Sequence, residues 1–439
     1  MSYIKKITIV LVIANITFVN AQKILTKEEA IQQALEHNYG IKIAKNNVEV
    51  AKNNASVLNT NHLPTVSTSA GANYNNSNQD IVRQDGSATS ETGAETKSYN
   101  ASVNLNYTIF DGLGRKYNYK QLKETKNLTE LQARETIENT YLEIFDFYFQ
   151  VAQLSENTEN LKSALQISKS RLERAKYQYE YGQNTKLEVL NAEVDVNNDS
   201  INYINAKQQF VNAKRNLNIV LGVSQGVNYE VETDVVFSKL LNLEALLNKA
   251  KANNVVLMQN DKNITISKYS IKANKAGFLP KLGLTTSYGW NKSINPSTSF
   301  LAESSTTGLN AGLNLTWNIF DGGSTKTRVA NAKIQLENQE ILKEQQVNII
   351  ENTLTNTWED YNNKLFIYNA QQQNLDTAQN NFDRTNEKYK LGQVSSIEFR
   401  QSQINLLNAQ NELNVAKYNA KFKELELLQL SGEILNIGF

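Results

Sequence analysis

Hydrophobic and polar residues alternate strictly over four segments of the chain, arranged in two pairs. In the first segment, one face carries Val66, Thr68, Ala70, Ala72 and Tyr74. The second segment runs from Tyr99 to Ile109 in the same way, and Leu282–Trp290 and Leu309–Ile319 repeat the pair. A period of two residues predicts β-strands. We assign the strands to 65–77, 98–110, 281–291 and 307–320.

The length and the ends of these strands favour a membrane barrel over a soluble sheet with one wet face. Strands of about 10–13 residues can cross an outer membrane at a tilt. Aromatic residues lie near the strand ends, as in the interfacial girdles of barrels. They are Tyr74, Tyr99, Tyr107, Tyr288, Trp290 and Trp317. The polar linkers 75–97 and 291–306 are then expected to be surface-exposed loops.

Four strands are too few to close a membrane barrel, which needs at least about eight. Two chains would give eight strands, and such a barrel is normally filled by side chains. The residues of the polar face are Ser, Thr, Gly and Asn, which are too small to fill it. Three chains of four strands, twelve in all, fit an open polar lumen better. The pattern therefore predicts a barrel shared by three chains.

A seven-residue period follows each strand pair, in segments without proline at 113–180 and 323–390. In the second segment the heptad positions are Val347, Leu354, Tyr361, Tyr368, Leu375, Phe382 and Tyr389. The matching positions of the first are Ile137, Ile144, Val151, Thr158, Leu165, Leu172 and Tyr179. Only Thr158 is neither apolar nor aromatic. A sustained seven-residue period predicts coiled-coil packing of helices about 100 Å long.

Each long helix is expected to turn back at a glycine, Gly182 or Gly392, into a shorter helix at 187–221 or 397–430. Further helical segments precede the strand pairs and are expected to break near Asn38 and at Asn253–Asn254. Each shorter helix can then stack end to end with a returning helix. Twelve such helices from three chains, spaced about 10 Å apart, enclose a wide channel. A plain cytosolic coiled coil is the alternative, and the strands argue against it.

Matched blocks indicate that the chain is a tandem duplication with an offset of 210 residues. Residues 103–112 match 313–322, and 179–183 match 389–393. We divide the chain into five parts on this basis. These are a signal segment (1–21), a first repeat (22–221), an equatorial linker (222–243), a second repeat (244–432) and a C-terminal tail (433–439).

The first 21 residues predict a secretory signal, with Lys5 and Lys6 ahead of an apolar run at 7–19. A membrane anchor is the alternative, but the run is shorter than the roughly 20 residues that a span requires. The protein is therefore expected to be exported. The chain has no cysteine, so disulfides, thiolate metal sites and a lipid-anchored N-terminal cysteine are excluded.

Composition and motifs favour neither an enzyme nor a nucleic-acid binder. The formal net charge is +1, without the basic excess of nucleic-acid binders, and two histidines are too few for a histidine-based metal centre. The sequence contains no nucleophile–base motif, glycine-rich phosphate loop or metal-ligand spacing. We expect no catalytic residue, no cofactor and no metal site.

With this architecture, the sequence resembles the TolC-type outer-membrane efflux channel family. The resemblance is carried by the duplicated unit, by the Phe-Asp-Gly turns at 110–112 and 320–322, and by two Tyr-x-x-Gly turns with an acid six residues after the glycine. It implies a trimeric outer-membrane β-barrel continuous with a periplasmic α-helical barrel. It also implies a passive exit duct for an efflux pump or type I secretion system. A structural or adhesive surface protein is the alternative, but its loops would be longer and richer in aromatic residues.

The resemblance also implies site residues, partners and gating. A periplasmic aperture would be lined by Glu188, Tyr389, Glu398 and Gln401, the last where some relatives carry a further acid. A periplasmic adaptor and an inner-membrane transporter would open this aperture on recruitment. The adaptor would bind the helix tips at Tyr179, Gly182, Gln183, Tyr389, Gly392 and Gln393. Many relatives carry an N-terminal lipid anchor, whereas this chain is expected to be held by the barrel alone.

Overall fold

The computed structural model describes residues 23–224, 226–238 and 241–436. The predicted signal segment and the end of the predicted C-terminal tail lie outside the described residues. The described part falls into two compact units. Of the described residues, one unit draws on 23–45, 133–255 and 347–436, and the other on Asn46–Gln132 and Val256–Gln346.

The same order of elements occurs twice along a mostly helical chain. The first half contains β1 (Lys23–Leu25), α1 (Lys27–His37), α2 (Tyr39–Asn54), β2 (Thr65–Val82), β3 (Ala88–Phe110), α3 (Gly114–Glu180) and α4 (Lys186–Leu221). The second contains β4 (Tyr229–Val231), α5 (Leu243–Asn253), α6 (Val255–Lys275), β5 (Lys281–Ile294), β6 (Glu303–Thr316), α7 (Ser324–Lys390) and α8 (Ser396–Leu430). No helix within the described ranges has the length and hydrophobicity needed to span a membrane.

The second unit contains a four-stranded antiparallel sheet in the order β2-β3-β5-β6. Its register places the alternating apolar residues of all four strands on one face, because residues directly opposite each other share a face. One such row consists of Thr68, Val103, Tyr288 and Leu309. The neighbouring row, on the other face, consists of Ser69, Ser102, Gly289 and Gly308. The sheet therefore has one face of mainly apolar residues and one face of small or polar residues.

The strands extend further than their hydrophobic alternation predicts. The predicted loop at 75–97 is wrong over most of its length, because β2 and β3 remain paired from Asn75↔Thr96 to Val82↔Ala88. The connecting loop is only 83–87. In the second pair β5 continues to Ile294, and β6 spans 303–316 instead of the predicted 307–320. Pairing needs only backbone N–H and C=O groups, so it continues through polar residues that carry no hydrophobic signal.

The aspartates of the two Phe-Asp-Gly turns lie three residues ahead of the long helices and bind their first turns. Asp111 Oδ2 accepts a hydrogen bond from Arg115 N at 2.8 Å, and Asp321 Oδ2 accepts one from Thr325 N at 2.9 Å. Both aspartates thus satisfy a backbone N–H of the first helical turn, as a capping residue does. Ser324 is the first residue of α7, so the capping bond comes from Asp321 ahead of it.

In the first unit, asparagine side chains join the broken helices to the returning ones. Asn38 lies between α1 and α2, donates from Nδ2 to Val220 O at 2.7 Å and accepts from Ile41 N at 3.1 Å. Its side chain therefore bridges the end of α4 and the start of α2. Asn254 does the same at the end of α8, donating to Leu430 O at 2.9 Å. These contacts fit the expected end-to-end stacking.

The core of the first unit forms where a small parallel sheet, β1 and β4, meets α3. Tyr148 on α3 is fully buried, and its hydroxyl donates to Leu25 O at 2.7 Å and accepts from Glu232 N at 2.9 Å. Burial raises the pKa of this hydroxyl well above its ordinary value. Tyr148 thus fixes the linker after β4 to the long helix. This sheet could not be predicted from the sequence, because its three-residue strands are too short to show a period.

Candidate functional site

The two turns between long and returning helices have the same backbone geometry. Gly182 and Gly392 lie at the predicted turns and adopt positive φ angles of 68° and 73°. The following residues donate back across the turn, Gln183 N to Gln178 O at 2.7 Å and Gln393 N to Lys388 O at 2.9 Å. This is the Schellman arrangement that ends helices at glycine. No heavy atom lies within 4 Å of a Cβ placed at either glycine, so the backbone conformation alone favours glycine.

The second turn contains a capping box formed by Ser395 and Glu398. Ser395 Oγ accepts from Glu398 N at 3.2 Å, and the Glu398 carboxylate accepts from Ser395 N at 2.8 Å and from Ser395 Oγ at 3.0 Å. These bonds, the backbone one first, lower the pKa of Glu398 below its ordinary value. The exposed carboxylate of Glu398 therefore stays ionised at neutral pH.

The first turn lacks this capping box. Thr185 stands before α4 without a side-chain cap bond, and Glu188 is half-buried in the first helical turn. Lys186 Nζ lies 5.4 Å from the ring centroid of Tyr179, which is itself exposed. The two acids that the sequence matches, Glu188 and Glu398, therefore have different surroundings.

Tyr389 belongs to an aromatic cluster beside the second turn. Its ring stacks on Phe399 at a centroid distance of 4.6 Å and an interplanar angle of 15°. Arg174 of α3 covers the same ring at 5.1 Å and donates to Lys390 O at 2.8 Å. Together with Ile167, these residues line a groove of about 280 Å³. Tyr389 is thus half-buried in a fixed position, and Arg174 links the end of α7 to α3.

A buried charged network lies next to this cluster. Arg400 of α8 forms a bidentate pair with Asp199 of α4, with both N–O distances at 2.7 Å. Ser168 of α3 donates to Asp199 at 2.6 Å, and Arg171 of α3 forms an ion pair with Asp195 of α4. Burial alone would lower the pKa of Arg400, but the Asp199 carboxylate outweighs it and the net direction is upward. The network ties α8 to both helices of the first hairpin.

Sequence reasoning missed this network because Asp199 and Arg400 are 201 positions apart. Only the relative register of the helices in each hairpin could have suggested that Asp199 and Arg400 lie close together. Gln401, one residue later, is exposed and donates to Asn405 Oδ1 at 2.8 Å on its own helix.

Five of the six predicted girdle residues lie on the apolar face of the sheet, and most are not at strand ends. Tyr74, Tyr99 and Tyr288 are near the middle of their strands, and Trp290 is four residues from the end of β5. The expectation that they mark strand ends was therefore wrong, because the strands extend beyond them. Tyr107 is close to the end of β3, and Trp317 directly follows β6 and donates to Phe278 O at 3.1 Å.

The fold, the helix turns and the sheet define a class of outer-membrane channel built from helical hairpins and a four-stranded sheet. The model of one family, described as outer membrane efflux protein, matches residues 30–223 and again 246–433. These two ranges cover well over half of the chain. The chain therefore belongs to the outer membrane efflux protein family, which confirms the resemblance to TolC-type channels.

Comparisons with individual proteins are consistent with this family. The outer membrane protein TolC of Escherichia coli K12 is 24% identical over 199 residues, which are 44% of this chain and 40% of TolC, so the match spans less than half of that relative. The solved CmeC outer membrane channel of Campylobacter jejuni superposes with a TM-score of 0.74 at 18% identity, covering 93% of this chain and 86% of CmeC. The open state of the MtrE outer membrane channel of Neisseria gonorrhoeae superposes with a TM-score of 0.70 at 16% identity. The match covers 93% of this chain and 89% of MtrE. At these identities the structures establish the fold.

Proposed function

We propose that three copies of this chain form an outer-membrane exit duct for an efflux pump or a type I secretion system. The observation that carries the proposal is the sheet of β2, β3, β5 and β6, with one apolar face, one polar face and two edges. The fold and the family place the chain among channels, and the polar face supports a wet lumen. The duct itself is passive, because the energy comes from the transporter that it serves.

The sheet edges support the trimer. Within the described residues, β2 and β6 each pair on one side only, leaving edges of 18 and 14 residues. Unpaired N–H and C=O groups cannot remain exposed to lipid. Because β2 and β6 run in opposite directions, β6 of one copy can pair antiparallel with β2 of the next. Three copies then close a barrel of twelve strands, with the face of small polar residues lining the lumen.

The duplicated organisation is part of the proposal. The family model matches twice, with an offset close to that of the sequence repeat. In both halves an 11-residue helix is followed by a second helix, two strands and a 67-residue helix. This order supports the proposed repeats at 22–221 and 244–432, the linker at 222–243 and the tail at 433–439.

The barrel would contact lipid through its apolar face. Tyr74, Tyr99, Trp290 and Tyr288 lie on four successive rows of the apolar face, and Tyr107 and Trp317 lie nearer the long helices. Aromatic residues on the lipid-facing side are typical of the girdles of membrane barrels. We propose that these six residues form the membrane girdle, with Tyr107 and Trp317 on the periplasmic side, where α3 and α7 continue into the periplasm.

The helix tips would bind a periplasmic adaptor, through Tyr179, Gly182, Gln183, Tyr389, Gly392 and Gln393. Support comes from apolar side chains exposed at equivalent positions of both turns. Tyr181 and Leu391 precede the glycines and are 78% and 72% exposed, and Leu187 and Ile397 begin the returning helices at 65% and 73%. Exposed apolar patches with a polar rim are typical of protein interaction sites.

The aperture would be formed by Tyr389 at the end of α7 and by Glu188, Glu398 and Gln401 in the first turns of the returning helices. Three copies of two carboxylates would favour cations at a narrow point. Recruitment of the adaptor and of an inner-membrane transporter would open it. Arg400 of α8 pairs with Asp199 of α4, and Tyr389 stacks on Phe399 of α8. These contacts support the view that α8 moves as a packed unit with the first hairpin.

Substitution at the tips tests this role. The variants Gly392→Val and Tyr181→Ser/Leu391→Ser should assemble as trimers yet lose adaptor binding and export. Ile219→Ser, at the far end of α4 and 72% exposed, is the matched control and should behave as the wild type. The measurements are pull-down of a purified adaptor and survival of cells challenged with the exported compound. If the tip variants bind the adaptor and export as well as the wild type, the proposed role of the tips is wrong.

A further inference from the structure

Two rows of exposed lysines lie on the ends of α3 and α6 next to the sheet. The α3 row is Lys116, Lys120 and Lys123, and the α6 row is Lys268, Lys272 and Lys275. Spacings of four and three residues put each row on one helix face. At 1.5 Å per residue, both rows lie within about 15 Å of the helix end that adjoins a strand.

Tyrosine rings join the two rows into one surface. Tyr117 and Tyr269 stack with a centroid distance of 6.5 Å. Lys272 Nζ lies 5.7 Å from the Tyr117 centroid and 5.8 Å from that of Tyr269, and Lys120 Nζ lies 5.7 Å from Tyr269. Lysines of each row therefore share the same aromatic pair, which holds their ammonium groups close together. We call these six lysines and two tyrosines the lysine surface.

Few carboxylates lie near enough in the sequence to neutralise the positive charge of the lysine surface. From Gly114 to Lys126, α3 carries five cationic residues and one acid, Glu124, which pairs with Lys262 at 3.0 Å. From Lys262 to Lys275, α6 carries no acid. Among the residues that the structure describes, none of the six lysines forms an ion pair. Their charge is therefore available to an external anion.

A band of exposed apolar side chains lies between the lysine surface and the strands. Phe278 and Leu279 connect α6 to β5, and Trp317, Ile319 and Phe320 connect β6 to α7. All five are exposed, Phe320 at 87%. The order from the sheet outward is thus apolar strand, aromatic and aliphatic band, then lysine. In a membrane, apolar residues prefer the hydrocarbon, aromatic residues the interface and lysines the headgroup region, which is the same order.

We infer that the lysine surface binds the headgroups of anionic phospholipids in the periplasmic leaflet of the outer membrane. This inference rests on the proposed placement of the sheet in that membrane. Lysine ammonium groups are compact point charges that bind phosphate well, and clustered lysines beside a membrane segment attract anionic lipid. The acyl chains of the same lipid would cover the exposed apolar band. The ligand class is therefore a phospholipid with net negative charge.

Lipid titration of the purified full-length protein in detergent tests the inference. The probes are phosphatidylglycerol, phosphatidylcholine and inorganic phosphate, and the readouts are lipids retained in native mass spectra and the shift in unfolding temperature. The test variants are Lys116→Gln/Lys120→Gln/Lys123→Gln and Lys268→Gln/Lys272→Gln/Lys275→Gln. The matched control is Lys169→Gln/Lys176→Gln/Lys207→Gln, three lysines exposed elsewhere on α3 and α4.

The wild type and the control should retain phosphatidylglycerol over phosphatidylcholine, and each test variant should weaken that retention about tenfold. Raised salt should weaken it as well, because exposed charges are screened. Equal retention of the two lipids, or no loss in the test variants, overturns the inference. So does an equal thermal shift with inorganic phosphate alone, which would indicate a soluble-anion site.

Two further outcomes separate this inference from the proposed function. If the test variants change the ion preference of the reconstituted channel but keep their lipid, the lysines line the lumen and the inference is wrong. If the wild type itself is monomeric and forms no channel, the proposed function fails first, and the inference fails with it.

Discussion

Glu398 illustrates how one side chain at the tip can serve structure and function at once. Its carboxylate closes the capping box with Ser395, which satisfies backbone N–H groups at the start of α8. The same carboxylate is exposed and ionised, so it contributes charge to the proposed aperture. A substitution that removes the charge but keeps the cap can separate the two effects.

The variant Glu398→Gln makes this separation, because glutamine also completes a capping box. We expect unchanged trimer assembly and a loss of about half of the cation preference in planar-bilayer reversal potentials. Glu188→Gln should act in the same direction. Ser395→Ala is the control, since it breaks the cap while keeping the charge. Unchanged selectivity in the double glutamine variant would place both acids away from the aperture.

The pH dependence of selectivity gives a second test of Glu398. Hydrogen bonds from Ser395 lower the pKa of this carboxyl from 4.5, so its charge persists down to that pH and is lost as the pH falls through the lowered pKa. Any stability from the capping box is present above pH 4.5 and disappears in the same range. Cation preference at pH 5 should therefore match that at pH 7. A loss already at pH 6 would mean that neighbouring carboxylates raise the pKa instead.

The glycines with positive φ should differ sharply in their tolerance of alanine. At Gly182 and Gly392 only the backbone conformation resists a side chain, at a cost of about 1 kcal/mol. At Gly222 and Gly432 a Cβ would also lie 2.4 and 2.5 Å from the carbonyl oxygens of His37 and Asn253. We expect alanine there to cost about 3 kcal/mol or more. Thermal unfolding of the four single variants measures this, and equal losses would contradict the geometry.

Some of these residue-level features could be predicted from the sequence and others could not. The capping aspartates and tip glycines follow local rules: Gly182 and Gly392 were predicted as turns, and Asp111 and Asp321 belong to the Phe-Asp-Gly turns noted in the sequence. The capping box was also readable, since Ser395 precedes Glu398 by three residues, but Glu398 was predicted only as an aperture acid. The pairing of Arg400 with Asp199 depends on how two hairpins pack, which no local pattern encodes.

At the scale of elements, the helix joints carry the most information about how each half is built. Asn38 and Asn254 end one short helix, begin the next and bind the carbonyl end of a returning helix. Helices without proline and with heptads were predictable because their period is long and sustained. The strand ends were not, because the paired residues at 75–82 and 88–97 are mainly polar and give no alternation.

Alanine at these joints should destabilise the first unit without affecting the sheet. Asn38→Ala removes a cap and leaves the Val220 carbonyl without its donor, which costs about 1–2 kcal/mol. Asn254→Ala should have a similar effect at Leu430. Asn47→Ala, an exposed position on α2, is the control. Denaturant unfolding followed by helical circular dichroism provides the measurement. If the joint variants match the control, the bridging bonds contribute nothing.

At the scale of the whole molecule, the sheet edges predict which strands meet between copies. The chain has no cysteine, so engineered pairs form the only possible disulfides. Ala311→Cys on β6, combined in turn with cysteine at Val66, Thr68, Ala70 or Ala72 on β2, should give a covalent ladder ending at three copies. Val103→Cys on the inner strand β3, combined with Ala311→Cys, should give none. A ladder ending at two, or mass measurements of a monomer, would contradict the trimer.

The two open sheet edges also have a consequence for cells that carry two versions of the gene. Each copy must be completed by a neighbour on either side, so one subunit with a blocked edge disables the assembly that it joins. If normal and edge-blocked subunits were made in equal amounts and mixed freely, only about one trimer in eight would contain normal copies alone. An edge mutation would therefore be dominant over the normal gene, whereas loss of the whole chain would be recessive.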